Sequence, residues 1–313
     1  MKLQQILIAA ALVVSQTIMA ETKTRVMQYH PDGRDIVRVN GENRYTRALY
    51  GGYTDFRVET SDRPIFGIFR GKNHRNVRFR LTMGDKTVDL EQTAQCEARY
   101  NAGLRTYRLS DPSFGKGTLE IAALAMPDSE AGLWQFKSSG LPADGLLECV
   151  VCAVKARRFN RGGDMNADPR DGFDPAPEET NKQTMEWRIG TGTTYVLVSV
   201  DAQGTYTISN STGAEAQRLY DKAWKHHEWL ANQIVFDTPD PYINTLGGTL
   251  MAAADGAWDG STWLHGAVAW RMTLAGWRAG YLADVLGEPD RAISHFTAYA
   301  NSQITDVEPR IPH

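Results

Sequence analysis

The stretch NSTGAEAQRLYDKAWKHHEWL, residues 210–230, marks a change of sequence pattern in this 313-residue chain. After the turn-forming residues 210–213, apolar residues recur at the spacing of one helix face: Ala216, Leu219, Tyr220, Ala223 and Leu230. This spacing predicts an amphipathic helix, with Ser211 or Thr212 as its N-cap. We therefore predict a boundary between two structural units near residues 210–214.

Before this boundary the sequence predicts an antiparallel β-sandwich. From about residue 24, short β-prone runs alternate with turns rich in Gly, Asp, Asn and Pro. In residues 77–83 (VRFRLTM), for example, apolar and polar side chains alternate, as they do in a strand with one buried face. Many short strands separated by such turns are typical of a sandwich.

After the boundary the sequence predicts helices joined by short turns. Residues 237–241 (DTPDP) break the chain, and a second helix is expected to start with Asp240 as N-cap and to reach about residue 254. Further helical stretches are expected over residues 268–286 and from Asp290 to about Gln303. This pattern is typical of an α/α array. His226 and His227 lack the spacing of a zinc helix and are expected to be solvated.

The first twenty residues have the pattern of a secretory signal peptide. A charged Lys2 precedes a short apolar run and a small residue, Ala20, after which cleavage is expected. That run has about ten residues, whereas a membrane-spanning helix needs about twenty. We thus expect a signal peptide over 1–20, a β-sandwich domain over 21–210 and a helical domain over 211–313, in an exported, periplasmic or extracellular protein.

Composition excludes several classes of function. The formal net charge is -3 and no basic patch is evident, which argues against a nucleic-acid partner. No other apolar run is long enough for a transmembrane span, and no motif predicts a cofactor. The three cysteines, Cys96, Cys149 and Cys152, are too few for a disulfide scaffold. We expect all three to be buried thiols. The alternative is one disulfide between Cys96 and a cysteine on a neighbouring strand.

One long loop, residues 159–179, interrupts the predicted strands. Residues 164–168 (DMNAD) alternate oxygen ligands as a calcium loop does. The complete loop pattern needs Gly at its sixth position and Glu at its twelfth, where this chain has Pro169 and Pro175. A solvated acidic loop is therefore the favoured interpretation, and no metal site is predicted.

The residue types of a sugar-binding cleft are concentrated in residues 257–266 (AWDGSTWLHG) and 276–287 (GWRAGYLADVLG). Indole rings offer flat apolar faces, and charged side chains bind hydroxyl groups. The predicted substrate-binding residues are Trp258, Asp259, Trp263, His265, Trp277, Arg278 and Asp284. Structural roles are the alternative, because tryptophans often fill cores and a lone histidine near a helix start is often only hydrogen-bonded. Arg278 would then pair with Asp284. The available acids are Asp240, Asp255, Asp259 and Asp284, but the catalytic carboxylates are unknown, because sequence does not reveal the distances between them.

These residues carry a resemblance to a known family. Gly276-Trp277-Arg278, Asp284-Val285-Leu286-Gly287 and the following Pro289-Asp290-Arg291-Ala292 resemble a helix pair of six-hairpin (α/α)6 glycosidases and phosphorylases, including the cellobiose phosphorylase group. The resemblance extends over residues 238–303. The chain is also similar to a Bacteroidetes family of predicted exported glycoside hydrolases, in which a sandwich is followed by a toroid. The resemblance implies that the helical part holds the first hairpins of an incomplete (α/α)6 toroid.

Two features depart from the phosphorylase group. There the arginine is followed directly by an aspartate that holds sugar hydroxyls, whereas Arg278 is followed by Ala279. Asp284 stands at the position of the group's second acid. Phosphorolysis therefore cannot be assumed from the resemblance.

The length of the helical part predicts that the toroid is incomplete. Twelve helices need roughly 300 residues, and only about a third of that number follows the boundary. The general acid of the group lies on a later helix. We expect an N-terminal fragment that is itself inactive and that exposes an apolar face containing Trp258, Trp263, Trp277 and Arg278.

The function predicted from these patterns is that of an exported glycoside hydrolase acting on a complex polysaccharide. Its partner would be an oligosaccharide or polysaccharide substrate. The alternative is a non-catalytic glycan-binding protein that uses the outer loops of the sandwich.

Overall fold

The computed structural model describes residues 27–71, 73–155, 171–177, 180–211, 213–267, 271–272 and 276–303. The predicted signal peptide, the calcium-like residues 164–168 and most of the loop at 159–179 lie outside this range. Within it, the side chains of residues 211, 276–279 and 282 are not described.

Two antiparallel sheets form the larger part of the described molecule. The first has the strand order β1-β2-β8-β9-β10-β11-β14-β15. Its strands are β1 (His30–Asp32), β2 (Asp35–Val39), β8 (Gln95–Asn101), β9 (Leu104–Ser110), β10 (Thr118–Ala125), β11 (Ala131–Ser139), β14 (Gly192–Val200) and β15 (Tyr206–Ser211). Every strand pair in this sheet is antiparallel.

The second sheet has the order β13-β12-β6-β5-β4-β3, and β7 also pairs with β6. Its strands are β3 (Arg47–Tyr50), β4 (Arg57–Thr60), β5 (Ile65–Phe69), β6 (Arg75–Met83), β7 (Lys86–Asp89), β12 (Leu146–Ala153) and β13 (Gln183–Arg188). Short 3-10 helices cover Leu90–Gln92 and Pro112–Phe114.

The main core lies between these two sheets, as expected for a sandwich. Trp134 of the first sheet is fully buried and packs edge-on against two rings of the second sheet, Phe66 at 5.3 Å and Phe79 at 5.6 Å between centroids. All three cysteines are buried and unpaired. The prediction of buried thiols is therefore confirmed, and burial raises the pKa of Cys96 to about 11.

Five helices are present in the described part of the chain: α1 (Ala214–Gln233), α2 (Pro241–Asn244), α3 (Leu246–Gly256), α4 (Gly276–Val285) and α5 (Pro289–Asn301). The predicted cap at Asp240 is confirmed, since its carboxylate accepts a hydrogen bond from the backbone N–H of Tyr242. The predicted cap of α1 is wrong, because Gly213 occupies the N-cap position and has no side chain to accept a bond. No helix in the described ranges is both long and apolar enough to cross a membrane.

Helix α1 covers part of the outer face of the first sheet. Its residues Ala216, Tyr220 and Ala223 pack on outward-facing Leu124 and Leu133. Farther along α1, Leu230 and Ala231 contact Met251 and Ala252 of α3. The antiparallel sandwich and the helical layer are thus present, whereas the toroid and the domain boundaries stay predictions.

The helical layer exposes apolar side chains, but they are not the ones that the sequence predicts. Trp258 and Trp263 are only 5% and 1% exposed, so the expectation that they face solvent is wrong. They pack against each other and against Ala283 of α4. Among the described side chains of α4 and α5, the large apolar ones that are exposed are Tyr281, Val285, Ile293 and Phe296.

Candidate functional site

A cluster of charged and aromatic side chains lies where the helices meet a loop of the sandwich. Helix α1 contributes His226 and Trp229, the end of α3 contributes Asp255, and α5 contributes Arg291, with Glu288 at its N-cap. Tyr53 comes from the loop between β3 and β4, and Trp258 and Trp263 follow α3. We call this group the Arg291 cluster.

The guanidinium of Arg291 joins two carboxylates. Its Nη2 lies 2.9 Å from Oδ1 of Asp255, and its Nε lies 3.0 Å from Oε2 of Glu288. In both pairs the atoms are at ion-pair distance, and among the described residues neither oxygen of Glu288 accepts a hydrogen bond. Both carboxylates are largely buried, with side chains 9% and 11% exposed. Buried acceptors without donors are rare and mark a place where a ligand or water can bind.

The two carboxyl groups have opposite pKa shifts. Burial alone would raise the pKa of Asp255, but the hydrogen bond from His226 and the nearby charges of His226 and Arg291 outweigh it, so its pKa is lowered. Nε2 of His226 donates this bond to Oδ2 of Asp255 over 2.9 Å. Burial raises the pKa of Glu288, and Arg291 offsets only part of that effect. Two acids whose pKa values are shifted in opposite directions are candidates for the acid and the base of a reaction.

Aromatic rings surround Arg291 on several sides. The carbon at the centre of its guanidinium lies 5.1 Å from the ring centroid of Trp258, 5.8 Å from Trp229 and 6.0 Å from Trp263. The ring of Tyr53 is 5.7 Å away, and its hydroxyl oxygen accepts a bond from Nη2 over 3.3 Å. Cations at such distances are attracted to the ring faces, so these aromatic side chains fix the arginine in place.

A narrow crevice opens beside Asp255. It is lined by Tyr53, Pro127, His226 and Gly256, among others, and its volume is about 10 Å³. That volume is about the space needed for one water molecule. The arrangement can thus place a water beside the carboxyl group of Asp255, with the carboxyl group of Glu288 on the other side of Arg291.

The structure separates the predicted site residues. Trp258 and Trp263 belong to the Arg291 cluster, where the backbone N–H of Trp263 donates to Nδ1 of the buried His295 over 3.1 Å. Asp259 instead holds the turn that follows, because its Oδ1 accepts from the backbone N–H groups of Ser261 and Thr262.

The other predicted residues lie apart from the cluster or outside the description. The backbone N–H of His265 donates to the carbonyl of Met272 over 2.9 Å. Asp284 is exposed on α4. The side chains of Trp277 and Arg278 lie outside the described part of the chain. Sugar binding by these seven residues stays a prediction.

Sequence reasoning missed most of the Arg291 cluster. The expectation that His226 and His227 are solvated is wrong: His226 bonds Asp255, and His227 is 8% exposed and donates to the carbonyl of Ala102 over 3.1 Å. Asp255 was one candidate acid among several, and Arg291 belonged to the resembling motif without a role. Among the described residues no group of three or more His, Cys, Asp or Glu side chains could hold a metal.

The lowered pKa of Asp255 predicts a specific dependence of stability on acid. A carboxyl group with a lowered folded-state pKa stabilises the fold above its ordinary value of 3.8, and this stabilisation is lost as pH falls through the lowered value. We expect the difference in unfolding free energy between the wild type and Asp255→Asn to narrow from about pH 5 to about pH 2. Urea unfolding across that range measures it. Asp128→Asn, in an exposed ion pair with Lys222, is the control; an Asp255→Asn difference that does not change with pH would contradict the assignment.

Comparisons with known proteins give a partial family match and weak similarity to solved structures. The sequence model of a domain of unknown function, DUF4450, matches residues 72–210, which end at β15 and do not reach α1. No curated protein matches the chain. One solved structure is described as a "Putative kojibiose phosphorylase from human microbiome"; it is 11% identical, with a TM-score of 0.28, over 72% of this chain. This chain spans 38% of that protein's length, and at so low a TM-score we assign none of that protein's properties to it.

Proposed function

We propose that this chain is part of an exported glycoside hydrolase that acts on a complex polysaccharide. The supporting observation is the Arg291 cluster, in which Asp255 and Glu288 contact one guanidinium and have opposite pKa shifts. Glycoside hydrolysis uses two carboxyl groups, of which one donates a proton and the other acts as base or nucleophile.

The pKa shifts suggest a role for each carboxyl group. Glu288, with its raised pKa, would be the general acid that protonates the leaving oxygen. Asp255, with its lowered pKa, would be the carboxylate that activates the water in the adjacent crevice. Arg291 would keep the two groups in position, and His226 would orient Asp255 through its hydrogen bond.

The sugar would bind at the mouth of the crevice, because a volume of about 10 Å³ admits a water but not a sugar ring. Tyr53 is partly exposed there and offers an aromatic face. A polysaccharide at this mouth would meet Tyr53 and Asp255, which both line the crevice.

The remaining sequence-based expectations belong to this proposal. They are export by the predicted signal peptide, a domain boundary near residue 210, and helical hairpins of a larger toroid. Limited proteolysis tests the boundary, since a resistant N-terminal piece ending near residues 210–214 or within 159–179 is expected. A single resistant unit that extends past residue 290 would contradict it.

Turnover of polysaccharides tests the proposal. Both the 313-residue chain and any longer product of the same reading frame are incubated with a panel of plant and host glycans, and released reducing ends are measured. The proposal predicts release from at least one glycan by the longer product. Absence of release from every glycan would contradict it.

A second function, non-catalytic glycan binding, is favoured by the small volume of the crevice. If the crevice does not open, the carboxylates cannot reach a glycosidic bond. Binding to a glycan without any turnover would favour this second function.

A further inference from the structure

A groove on the outer face of the first sheet has no role in the function proposed above. On this face, strand pairing aligns side chains into rows that run across the sheet. Glu97 is opposite Arg108, Arg108 is opposite Glu120, and Glu120 is opposite Lys137. This row therefore alternates in charge from β8 to β11. Arg108 and Glu120 form an ion pair at 2.9 Å.

The next row forms the floor of the groove. Arg99, Thr106, Ala122 and Gln135 are aligned across the same four strands. Short side chains, Thr106 and Ala122, stand in the middle of this row, between longer ones at either end. The floor is therefore depressed, and the groove has a volume of about 380 Å³.

Helix α1 forms one wall of the groove. It packs on the apolar part of the outer face. Its residues Tyr220 and Trp224 lie at the edge of this contact and line the groove. The two rings lie one helical turn apart and are nearly parallel, with centroids 5.9 Å apart and an angle of 24°. His227 packs edge-on against Trp224 at 5.3 Å. The indole is therefore held by neighbours on two sides, which lowers the entropy lost when a ligand contacts it.

We propose that this groove binds an oligosaccharide. Its volume lies within the usual range of small-molecule sites, which is roughly 300–1,000 Å³. A sugar ring has an apolar face suited to a fixed indole and hydroxyl groups that both donate and accept. The alternating side chains Glu97, Arg108, Glu120 and Lys137 supply acceptors and donors at short intervals.

The charges of the groove argue against other ligand classes. A phosphate or nucleic acid would select a uniformly basic surface, whereas Glu97 and Glu120 stand between the cations here. An apolar ligand would leave these charges without water. A neutral or weakly acidic sugar matches the mixture best.

The groove and the Arg291 cluster have no residue in common. The groove would therefore bind the glycan without taking part in catalysis. The proposal does not depend on hydrolysis at Asp255 and Glu288. Binding and turnover can therefore fail independently.

The test measures binding of the whole 313-residue chain to a glycan array and then to its best ligands by calorimetry. The probes are hexasaccharides of cellulose, xylan, mannan and amylose and an oligogalacturonide. We expect binding to at least one probe. Trp224→Ala and Arg108→Ala should each weaken it at least about tenfold, the effect of losing one well-placed contact. Ala122→Trp, which fills the floor, should abolish it.

Arg218→Ala is a matched control. Arg108 and Arg218 are 69% and 72% exposed, and each pairs with one glutamate, but only Arg108 lines the groove. Because Arg108 is exposed, its removal should leave the melting temperature unchanged. Equal weakening by both substitutions, unchanged affinity in Arg108→Ala and Ala122→Trp, or no binding to any probe would overturn the proposal. Loss of turnover in Glu288→Gln with unchanged binding would leave it intact.

Discussion

Replacing Asp62 with alanine is expected to lower the free energy of unfolding by about 3–5 kcal/mol, the usual cost of removing one partner of a buried ion pair. Asp62 follows β4 in the second sheet, and its Oδ1 lies 3.3 Å from Nη2 of Arg105 in the first sheet. The two side chains are 0% and 1% exposed. Without Asp62, the charge of Arg105 would remain buried between the sheets, beside the carbonyl of Ser61, which accepts a hydrogen bond from its Nη2 over 2.7 Å.

Asp62 also organises the neighbouring chain, which adds to the expected loss. Its carboxylate accepts from the hydroxyl of Tyr29 at 3.0 Å and from the backbone N–H of Asn43 at 3.1 Å. Chemical denaturation measures the loss. Asp128→Ala, in an exposed ion pair, should cost at most about 1 kcal/mol. The double variant Asp62→Leu with Arg105→Met should recover part of the loss, because no lone charge stays buried. An Asp62→Ala variant as stable as Asp128→Ala would contradict this account.

Replacing Glu288 with glutamine is expected to reduce hydrolysis by about 10²–10⁴-fold, the typical contribution of a general acid. Glutamine keeps the shape of the side chain but cannot donate the proton. Glu228→Gln, on the exposed face of α1, is the control and should retain full activity. The measurement is the rate of reducing-end release from the best substrate of the glycan panel.

The assignment of Glu288 also predicts which substrates are least affected. A substrate with a good leaving group, such as a nitrophenyl glycoside, needs little protonation, so its turnover should fall less in Glu288→Gln. Equal losses on both substrates, or full activity on the natural glycan, would contradict the role of Glu288 as the acid.

The sandwich was predictable because its strands carry their pattern locally. In residues 77–83, for example, the period of two identifies one buried face without knowledge of any partner strand. The second helix was less predictable. Residues 241–254 appear continuous in sequence, but the structure separates α2 from α3 at Thr245. Next to this break, Gly247 lies so close to the carbonyl of Ile234 that a Cβ atom would be 2.1 Å from its oxygen.

The Arg291 cluster was not predictable, because its contacts connect distant parts of the chain. Tyr53 and Arg291 are 238 residues apart, and His226 and Asp255 are 29 apart. The sequence around His226 and His227 resembles a solvated helix face. Only the packing of α1 on the sheet and on α3 reveals that both imidazoles have partners. Trp258 and Trp263 lie in this cluster, and their burial depends on α4 and α5.

Hydrolysis in water labelled with heavy oxygen tests the central claim most directly. The 313-residue chain and any longer product of the same reading frame are incubated with the best glycan in labelled water and inorganic phosphate, and the products are analysed by mass spectrometry. Glycoside hydrolysis predicts one heavy oxygen at each new reducing end, and loss of this product in Asp255→Asn and Glu288→Gln. A sugar phosphate without the label, or a glycan that is bound but never cleaved, would contradict it.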